Sequence, residues 1–149
     1  MSLFGPLVGF DAIDKAECNR ALIAWDHKMG PWERPFRSWF WGLRHAGELV
    51  GVCAVGELIA ETCAGFTRNQ AVELGRICAA RRDLNRVVLR IWREFVFPSL
   101  GRPWAVSYQD AALHSGDLYR FDGWVRVGGF FLPVHPKAKL PDDGRPVAD

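Results

Sequence analysis

The chain has 149 residues, of which 49% are hydrophobic and 24% charged, and its formal net charge is +2. That length suits one domain with one hydrophobic core and argues against a two-domain enzyme with separate cofactor and substrate modules. The composition excludes disordered and fibrous proteins. The net charge is far below that of proteins that hold nucleic acid by bulk electrostatics, so any anion site must be local.

Cysteine usage and hydropathy indicate an intracellular protein. Four cysteines occur without a C-x-x-C pair, which is typical of reduced, packed thiols. The N-terminal residues lack the basic start and sustained apolar stretch of a signal peptide, and no segment reaches the roughly 18 apolar residues of a membrane span. We therefore expect a cytoplasmic protein that does not bind membranes.

The first half of the chain predicts a helix and a hairpin. Apolar residues recur at helical spacing over Asp14–Trp25, and a Gly-Pro pair with a further proline ends regular structure after them. Strand-forming residues on both sides of a short turn predict a hairpin of Ser38–Arg44 and Glu48–Gly56. Residues 56–69 show no clear period, and we expect a loop there.

A strand, a helix and a strand are predicted next, at Ala71–Cys78, Asn85–Phe97 and Pro103–Tyr108. The predicted apolar face of the helix consists of Val88, Ile91, Trp92 and Phe95. This order usually forms a right-handed crossover between parallel strands. The two strands should therefore be parallel neighbours that diverge toward Ser107.

The last part of the chain predicts three short segments and a tail. We expect a loop over Gln109–Gly116, a short helix over Asp117–Asp122 and a final strand or hairpin over Trp124–Val134. Residues 135–149 contain several prolines and few apolar residues, so an extended or mobile tail is expected. The element order predicts one mixed α/β domain over residues 1–134.

A local anion site is predicted at the start of the second helix. Arg81, Arg82 and Arg86 surround its first residues, near Asn85. Free backbone N–H groups and the positive end of the helix dipole favour a phosphate at such a position. The alternative interpretation is a solvated face on which Asp83 pairs with the arginines.

Several segments follow the order of one known family. The hairpin over residues 39–56 and the segment Glu73–Ile77 look like the second to fourth strands of the GNAT superfamily of acyl-CoA-dependent N-acetyltransferases. Arg82–Val87 stands where that family has its pyrophosphate loop, Q/R-x-x-G-x-G/A, with Asn85 and Val87 in place of glycines. The resemblance covers nearly the whole chain at the level of the fold. It implies a GNAT-like mixed sheet with flanking helices, and acetyl-CoA or another acyl donor.

The resemblance also implies roles for individual residues. Arg81, Arg82, Asn85 and Arg86 would contact the phosphates of the donor. Leu118–Trp124 is similar to the family's Y-x-x-x-G-F/W segment, in which the tyrosine often protonates the departing thiolate. Tyr119 is the corresponding residue of this chain.

A narrower pattern, S-Y-x-D-x-x-x-H-x-G-x-x-Y, runs from Ser107 to Tyr119, and Gly-Trp follows it. It resembles the signature of the phage Mom family, GNAT-related enzymes that modify adenine N6 in DNA with a carbamoylmethyl group. Members of that family also tend to lack the loop glycines. The resemblance implies transient contact with DNA, a flipped-out adenine, and catalytic roles for Ser107, Asp110, His114 and Tyr119.

The chemistry of these residues allows the same roles. Ser107 stands at the C-terminal end of a predicted strand, where open α/β sheets bind ligands. Asp110 could orient His114 and raise its basicity, and Tyr119 could donate or accept a proton. The alternative is that the polar loop residues form turns and His114 is a structural hydrogen-bonding group. No G-x-S-x-G elbow occurs, which argues against a serine hydrolase.

Aromatic rings alternate with cations in the segment after the first predicted helix. His27, Lys28, Trp32 and Arg34, together with Tyr108, are candidates for stacking on a flipped base and holding phosphate. The alternative is an aromatic lid or core cluster with cations at its edge. No metal motif occurs; a site that brings Asp110, His114 and His27 together is conceivable but is not predicted.

Three functional hypotheses follow from the sequence. The first is a transferase that modifies the N6 amine of adenine in DNA. The second is an acyl-CoA-dependent N-acyltransferase that acts on a protein or a small amine. The third is a non-catalytic binding module that keeps the fold. The oligomeric state is not predicted.

Overall fold

The structure is a computed structural model that describes residues 8–63, 65–108, 117–127 and 130–133. These described residues form nine strands: β1 Val8–Ala12, β2 Ser38–His45, β3 Glu48–Glu57, β4 Thr62–Cys63, β5 Phe66–Thr67, β6 Ala71–Ala79, β7 Trp104–Tyr108, β8 Trp124–Val127 and β9 Phe130–Pro133. The same part of the chain contains three α-helices: α1 Lys15–Ala24, α2 Leu84–Ile91 and α3 Asp117–Phe121. A π-helical turn, Trp92–Val96, and a 3₁₀ turn, Phe97–Leu100, extend α2.

Seven of these strands form one mixed sheet in the order β1-β2-β3-β6-β7-β9-β8, and β4 and β5 form a separate small hairpin. Only β6 and β7 pair in parallel among the described strands. The architecture is thus a single-domain mixed α/β sheet with flanking helices, as predicted. No helix of the described residues is long and apolar enough to cross a membrane.

The two long helices cover opposite faces of the sheet. Side chains alternate between the faces of a strand, so neighbouring residues of β3 enter different cores. Cys53 packs with Val88 and Leu89 of α2, whereas Val52 packs with Leu22 of α1. Each amphipathic helix therefore buries its apolar side against one face of the same strand.

The sequence predicted the hairpin, β6, both long helices and the short helix α3 to within a few residues, and the structure confirms them. Asp14 begins α1 as predicted, because its carboxylate accepts the Glu17 N–H at 2.7 Å. The edge strand β1 was not predicted. The segment expected to be a loop over 56–69 contains the small β4–β5 hairpin. Residues 135–149, the predicted tail, lie outside the described residues.

The predicted apolar face of the second helix is wrong at Phe95, whose side chain is 73% exposed. The cause is the π-helical turn, which has more residues per turn than an α-helix. The Phe97 N–H bonds to the Trp92 carbonyl, five residues back, and the two rings stack at 5.5 Å. Phe97 therefore takes the core position that α-helical spacing assigned to Phe95.

The prediction for the crossover is confirmed: β6 and β7 are parallel neighbours. Their pairing begins at Ala71 with Trp104 and ends at Glu73 with Val106. Both strands continue beyond that pair, to Ala79 and Tyr108. A gap between the two strands therefore opens beside Ser107, where the sequence predicted that they diverge.

One irregularity of β6 changes which of its side chains share a face. Leu74 pairs with Val55, whereas Arg76 pairs with Ala54, so Gly75 is an extra residue in the β6–β3 ladder. Such a bulge shifts the side-chain alternation by one residue. Glu73, Gly75 and Arg76 consequently border the same cavity.

Candidate functional site

A pair of hydroxyl groups lies at the gap between β6 and β7. Ser107 is only 1% exposed, and its Oγ lies 3.0 Å from the Leu74 carbonyl oxygen and 2.7 Å from the Tyr119 hydroxyl oxygen. A carbonyl oxygen only accepts, and a serine has one proton to give. The Ser107 proton is donated to one of these two oxygens at a time, and when the Tyr119 oxygen accepts it the phenol proton is not used in this contact.

Contacts around α3 fix the position of Tyr119. Its ring packs edge-on against Trp124, with ring centroids 5.2 Å apart. Asp122 is the first residue after α3. Its carboxylate accepts two hydrogen bonds from Arg93, at 2.6 and 3.2 Å, and one from Trp124 Nε1 at 2.9 Å. Arg93 lies in the π-helical turn that extends α2. Its hydrogen bonds to Asp122 therefore hold α3, the helix that carries Tyr119, in position.

Burial reinforces the protonated state that a tyrosine has at neutral pH. Loss of solvation raises the pKa of its phenol above the usual value of 10, and the negative charge of Glu73 raises this pKa further. The hydrogen bond with Ser107 acts in the opposite direction but does not outweigh burial. At neutral pH the phenol is therefore a proton donor rather than a base.

A cavity of about 430 Å³ lies at the other side of the gap. Glu73 and Arg34 form an ion pair at its wall, with side chains 13% and 14% exposed. Its remaining lining comes from β6 and from the segments before β2 and around β4: Met29, Leu58, Ile59, Ala60, Thr62, Cys63, Gly75 and Arg76. Val106, which pairs with Glu73, packs with Leu58, whereas its neighbour Ala105 packs in the core under α2. Glu73 and Tyr119 thus approach the gap from opposite faces of the sheet.

Trp32 was predicted as a stacking surface for a nucleobase, and the structure corrects this. Its side chain is 1% exposed, and its Nε1 donates to Ser38 Oγ at 2.8 Å. A Cβ on Gly75 would lie 2.3 Å from the Trp32 ring, and one on Gly56 would lie 2.6 Å from it. These two glycines leave the space that the indole fills, so Trp32 belongs to the core, as the alternative interpretation had it.

Trp32 in turn supports both arginines of the cavity. The guanidinium of Arg34 lies 4.3 Å from the centre of its ring and that of Arg76 lies 5.5 Å from it. Arg76 also donates to the carbonyl of Gly30 at 3.1 Å and to that of Gly75 at 2.8 Å. Burial, followed by the nearby charge of Arg34, lowers the pKa of Arg76. Arg76 therefore fastens the segment before β2 to β6, and Arg34 faces Glu73.

The predicted anion site at the start of α2 is exposed. Arg81 pairs with Asp83 at 3.3 Å, with both side chains about 70% exposed, and the guanidinium of Arg86 lies 4.9 Å from the ring centre of Phe121. The N–H groups of Leu84 and Asn85 bond to the carbonyls of Arg81 and Arg82. The solvated-face interpretation thus describes Arg81, while Arg82 and Arg86 remain accessible to an anion.

The remaining predicted site residues are described only in part. Asp110 and His114 lie outside the described residues, and so does the side chain of Tyr108. His27 is partly buried, and its Nδ1 accepts the Met29 N–H at 3.2 Å, while Lys28 is exposed. Among the described residues no three His, Cys, Asp or Glu side chains form a group that could hold a metal ion.

Sequence reasoning missed Glu73 as a site residue. The sequence analysis assigned Glu73 only to a strand of the GNAT fold, although the sequence contained an indication of a functional role. An acidic residue in the apolar run Ala71–Leu74, followed by Gly-Arg, is a charge that a buried strand has to neutralise. Its partner, Arg34, is 39 residues earlier in the chain, and only the fold brings the two together.

The chain was compared with known proteins. No family model and no curated protein sequence matches it. Solved structures do match. The N-acetyltransferase PseH of Campylobacter jejuni is 11% identical with a TM-score of 0.54, covering 85% of this chain and 95% of its own. An IAA acetyltransferase of Bacillus cereus is 15% identical with a TM-score of 0.54, covering 80% and 77%.

A third structure is the PaiA N-acetyltransferase of Thermoplasma acidophilum in complex with coenzyme A. It is 13% identical with a TM-score of 0.52, and the match covers 85% of this chain and 96% of that one. At such identities the likeness concerns the fold and not the activity. The chain therefore has the fold of the GNAT N-acetyltransferases, as the sequence predicted.

Proposed function

We propose that the protein transfers an acyl-type group from a thioester donor to an amine, at the gap between β6 and β7. One observation carries this proposal: a protonated phenol and a carboxylate approach the gap from opposite faces of the sheet. The phenol is that of Tyr119 and the carboxylate that of Glu73. Transfer between a thioester and an amine needs an acid at the sulfur and a base at the nitrogen.

The donor supplies an activated carbonyl carbon, and residues of this chain accept and donate the protons. Glu73 accepts a proton from the amine as the new N–C bond forms. Tyr119 donates its proton to the sulfur as the C–S bond breaks. Ser107 orients the Tyr119 hydroxyl through their 2.7 Å contact. One proton is gained by the carboxylate and one is lost by the phenol, so solvent exchange restores both groups.

The start of α2 fits the phosphates of such a donor through side chains. Arg82 and Arg86 are exposed there, and guanidinium groups bind phosphate with charge-assisted hydrogen bonds. Asn85 and Val87 carry Cβ atoms where the GNAT loop has glycines, which keeps a phosphate farther from the backbone. We therefore assign donor binding to Arg82 and Arg86 more than to backbone N–H groups.

We further propose that the accepting amine is N6 of adenine in DNA. The supporting observation is the Mom-like pattern, whose first and last residues, Ser107 and Tyr119, are in contact. The lone pair of N6 is delocalised into the purine ring, so its attack needs a nearby base and exclusion of water. The sequence offered Asp110 with His114 for this role. Among the described residues, Glu73 offers a buried carboxylate for it.

A protein or small amine is the second candidate acceptor. The likeness to acetyltransferases of known fold favours it, because those proteins share the sheet that forms the gap. A binding module without chemistry, the third hypothesis from the sequence, gives no reason for a partly buried acid and base at one gap.

The test is mass spectrometry of nucleosides from the DNA of cells that express the protein, beside cells that express Tyr119→Phe. We expect a heavier deoxyadenosine that depends on the Tyr119 hydroxyl. In parallel, purified protein is incubated with acetyl-CoA and a panel of amines. Unmodified DNA together with an acylated protein or small amine would overturn the adenine proposal and keep the transferase. No product from any amine would overturn both.

A further inference from the structure

One wall of the cavity comes from the connection between β3 and β4. We call residues 58–63 the wall segment, and its cavity-lining residues are Leu58, Ile59, Ala60, Thr62 and Cys63. Strand β3 ends at Glu57 and β4 begins at Thr62, so residues 58–61 lie between strands. Backbone carbonyl groups in such a connection need donors from outside the sheet ladder.

Arg68 supplies donors to the wall segment. Its Nε donates to the Leu58 carbonyl at 2.8 Å, and its Nη2 donates to the Ile59 carbonyl at 2.5 Å. The guanidinium also lies 4.9 Å from the ring centre of Phe36. Arg68 is not among the described residues that line the cavity. It therefore holds the wall segment from outside the cavity.

A second arginine fixes Arg68 itself. Arg102 Nε donates to the Arg68 carbonyl at 3.1 Å, and Arg102 Nη2 lies 3.6 Å from a carboxylate oxygen of Glu57. Arg102 comes two residues before β7, the strand that forms one side of the gap. Arg68 thus connects the wall segment to the start of β7.

Apolar packing holds the wall segment mainly at its beginning. Leu58 is buried in a cluster with Phe66, Ala71 and Val106, whereas Ile59 is 55% exposed. The next three residues, 60–62, are exposed as well. Segments with few buried apolar contacts open at a low free-energy cost. The position of this wall therefore depends on the hydrogen bonds from Arg68.

We infer that Arg68 is a positioning residue for the accepting amine, because it holds the wall segment in place around the cavity that Glu73 borders. Arg68 acts through the carbonyls of Leu58 and Ile59 and not by contact with a substrate. The inference rests on the proposed function for the role of Glu73 as the base. The donor site at the start of α2 does not depend on this wall.

The first test follows the wall segment without any reaction. Burial, followed by the charge of Glu73, raises the pKa of the Cys63 thiol to about 11, so iodoacetamide at about pH 8 should label it slowly. Arg68→Ala should be labelled at Cys63 at least about tenfold faster, because a hydrogen bond from a charged group changes the opening equilibrium by at least that factor. Mass spectrometry of the peptides identifies the labelled cysteine. Equal rates in the two proteins would overturn the inference.

Arg37→Ala is the matched control for this labelling. The Arg37 guanidinium lies 4.8 Å from the ring centre of Trp39, which packs against the core under α2. The change removes the same kind of arginine–aromatic contact and should leave the labelling of Cys63 unchanged. The other three cysteines are buried. If Arg68→Ala exposes them to the reagent together with Cys63, the effect is general unfolding and the inference is overturned.

Arg68→Lys keeps the test decisive if Arg68→Ala does not fold. Lysine retains the positive charge but lacks the planar fork that reaches two consecutive carbonyls. Its labelling rate at Cys63 should lie between those of the wild type and of a protein without this contact. A rate equal to that of the wild type would then overturn the inference.

The second test separates the two substrates. It measures kcat and both KM values with acetyl-CoA and DNA, and the reactive amine of the panel replaces DNA if DNA is not modified. Arg68→Ala should raise the KM for the amine about tenfold and leave kcat and the KM for acetyl-CoA near the wild-type values, because the wall contributes to binding and not to the reacting atoms. Equal rises in both KM values would contradict a positioning role.

The two tests distinguish failure of this inference from failure of the proposed function. Faster labelling of Cys63 in Arg68→Ala, without transfer from any donor, would support the role of Arg68 at the wall segment and overturn the reaction. Transfer with a wild-type KM for the amine, together with unchanged labelling, would overturn this inference and keep the proposed function.

Discussion

At Tyr119, the ordinary chemistry of a phenol and burial favour the same proton-transfer role, because burial raises the pKa further above neutral pH. A protonated phenol cannot act as a base near neutral pH, but it can donate its proton to a departing sulfur. The same physical effect acts on the cysteines. Burial raises the pKa of the Cys63 thiol to about 11, so this cavity residue is not a nucleophile at neutral pH.

Cys18 predicts how stability responds to alkali. Burial first, and then Cys78 and Glu17, raise its pKa from 9.0 to about 12 in the folded protein. Below pH 9 the thiol is protonated in both states, so its contribution is fully present. Between pH 9 and 12 only the unfolded thiol ionises, and the free energy of unfolding should fall as pH rises.

Urea unfolding from pH 7 to 10.5 measures this slope. Cys18→Ala should make it shallower without removing it, because Cys53 and Tyr119 titrate in the same direction. Equal slopes in the wild type and Cys18→Ala would contradict the assignment.

Among the elements, the extended second helix links the sheet to α3. Arg93 lies in its π-helical turn and holds Asp122, which is 8% exposed and also accepts from Trp124. Asp122→Ala leaves Arg93 without its two short hydrogen bonds. We expect a loss of about 2–3 kcal/mol in the free energy of unfolding.

Glu94→Ala is the matched control for Asp122→Ala, since Glu94 contacts the same arginine at 3.6 Å from a more exposed position. Surface ion pairs are worth about 1 kcal/mol or less, so its loss should be small. Urea denaturation of both variants gives the comparison. Losses of equal size would show that α3 is not held through Asp122.

The start of α2 predicts a salt-dependent contact with the donor. Arg82→Ala and Arg86→Ala should each weaken coenzyme A binding at low ionic strength, and the difference from wild type should shrink as salt screens the charges. Isothermal titration at several salt concentrations measures this. Arg90→Ala, another exposed arginine two turns along the helix from Arg82, is the control. Equal binding of coenzyme A by all four proteins at low salt would show that Arg82 and Arg86 are solvated surface residues with no role in donor binding.

At the scale of the whole molecule, the local sequence pattern was enough to predict most of the fold. The hairpin, the two long helices and the parallel pair follow from periodicity and from the handedness of crossovers. Phe95 shows a limit of this prediction. A π-helical turn changes which side chains face the core, and no residue pattern in the sequence indicates where such a turn occurs. Strand β1 shows another limit: among the described strands it pairs only with β2, and its five residues show little alternation between buried and exposed positions.

The candidate site was less predictable than the fold, for a physical reason. Ser107 and Tyr119 were found together because they belong to one short pattern. Glu73 and Arg34 were not, since their pairing depends on the bulge at Gly75 and on the packing of Trp32. Trp32 itself could be assigned to a surface or to the core from its neighbours in sequence, and only the space left by two glycines decides the matter.

The central claim, that Tyr119 protonates the departing sulfur, is tested most directly by changing the leaving group. The measurement compares kcat/KM of the wild type and Tyr119→Phe, first with acetyl-CoA and then with the acetyl thioester of an aromatic thiol, whose thiolate leaves without a proton. The account predicts a loss of about 10²–10⁴-fold with acetyl-CoA and a much smaller one with the aromatic thioester. The same loss with both donors would contradict it, because a tyrosine that only supports the fold affects every donor alike.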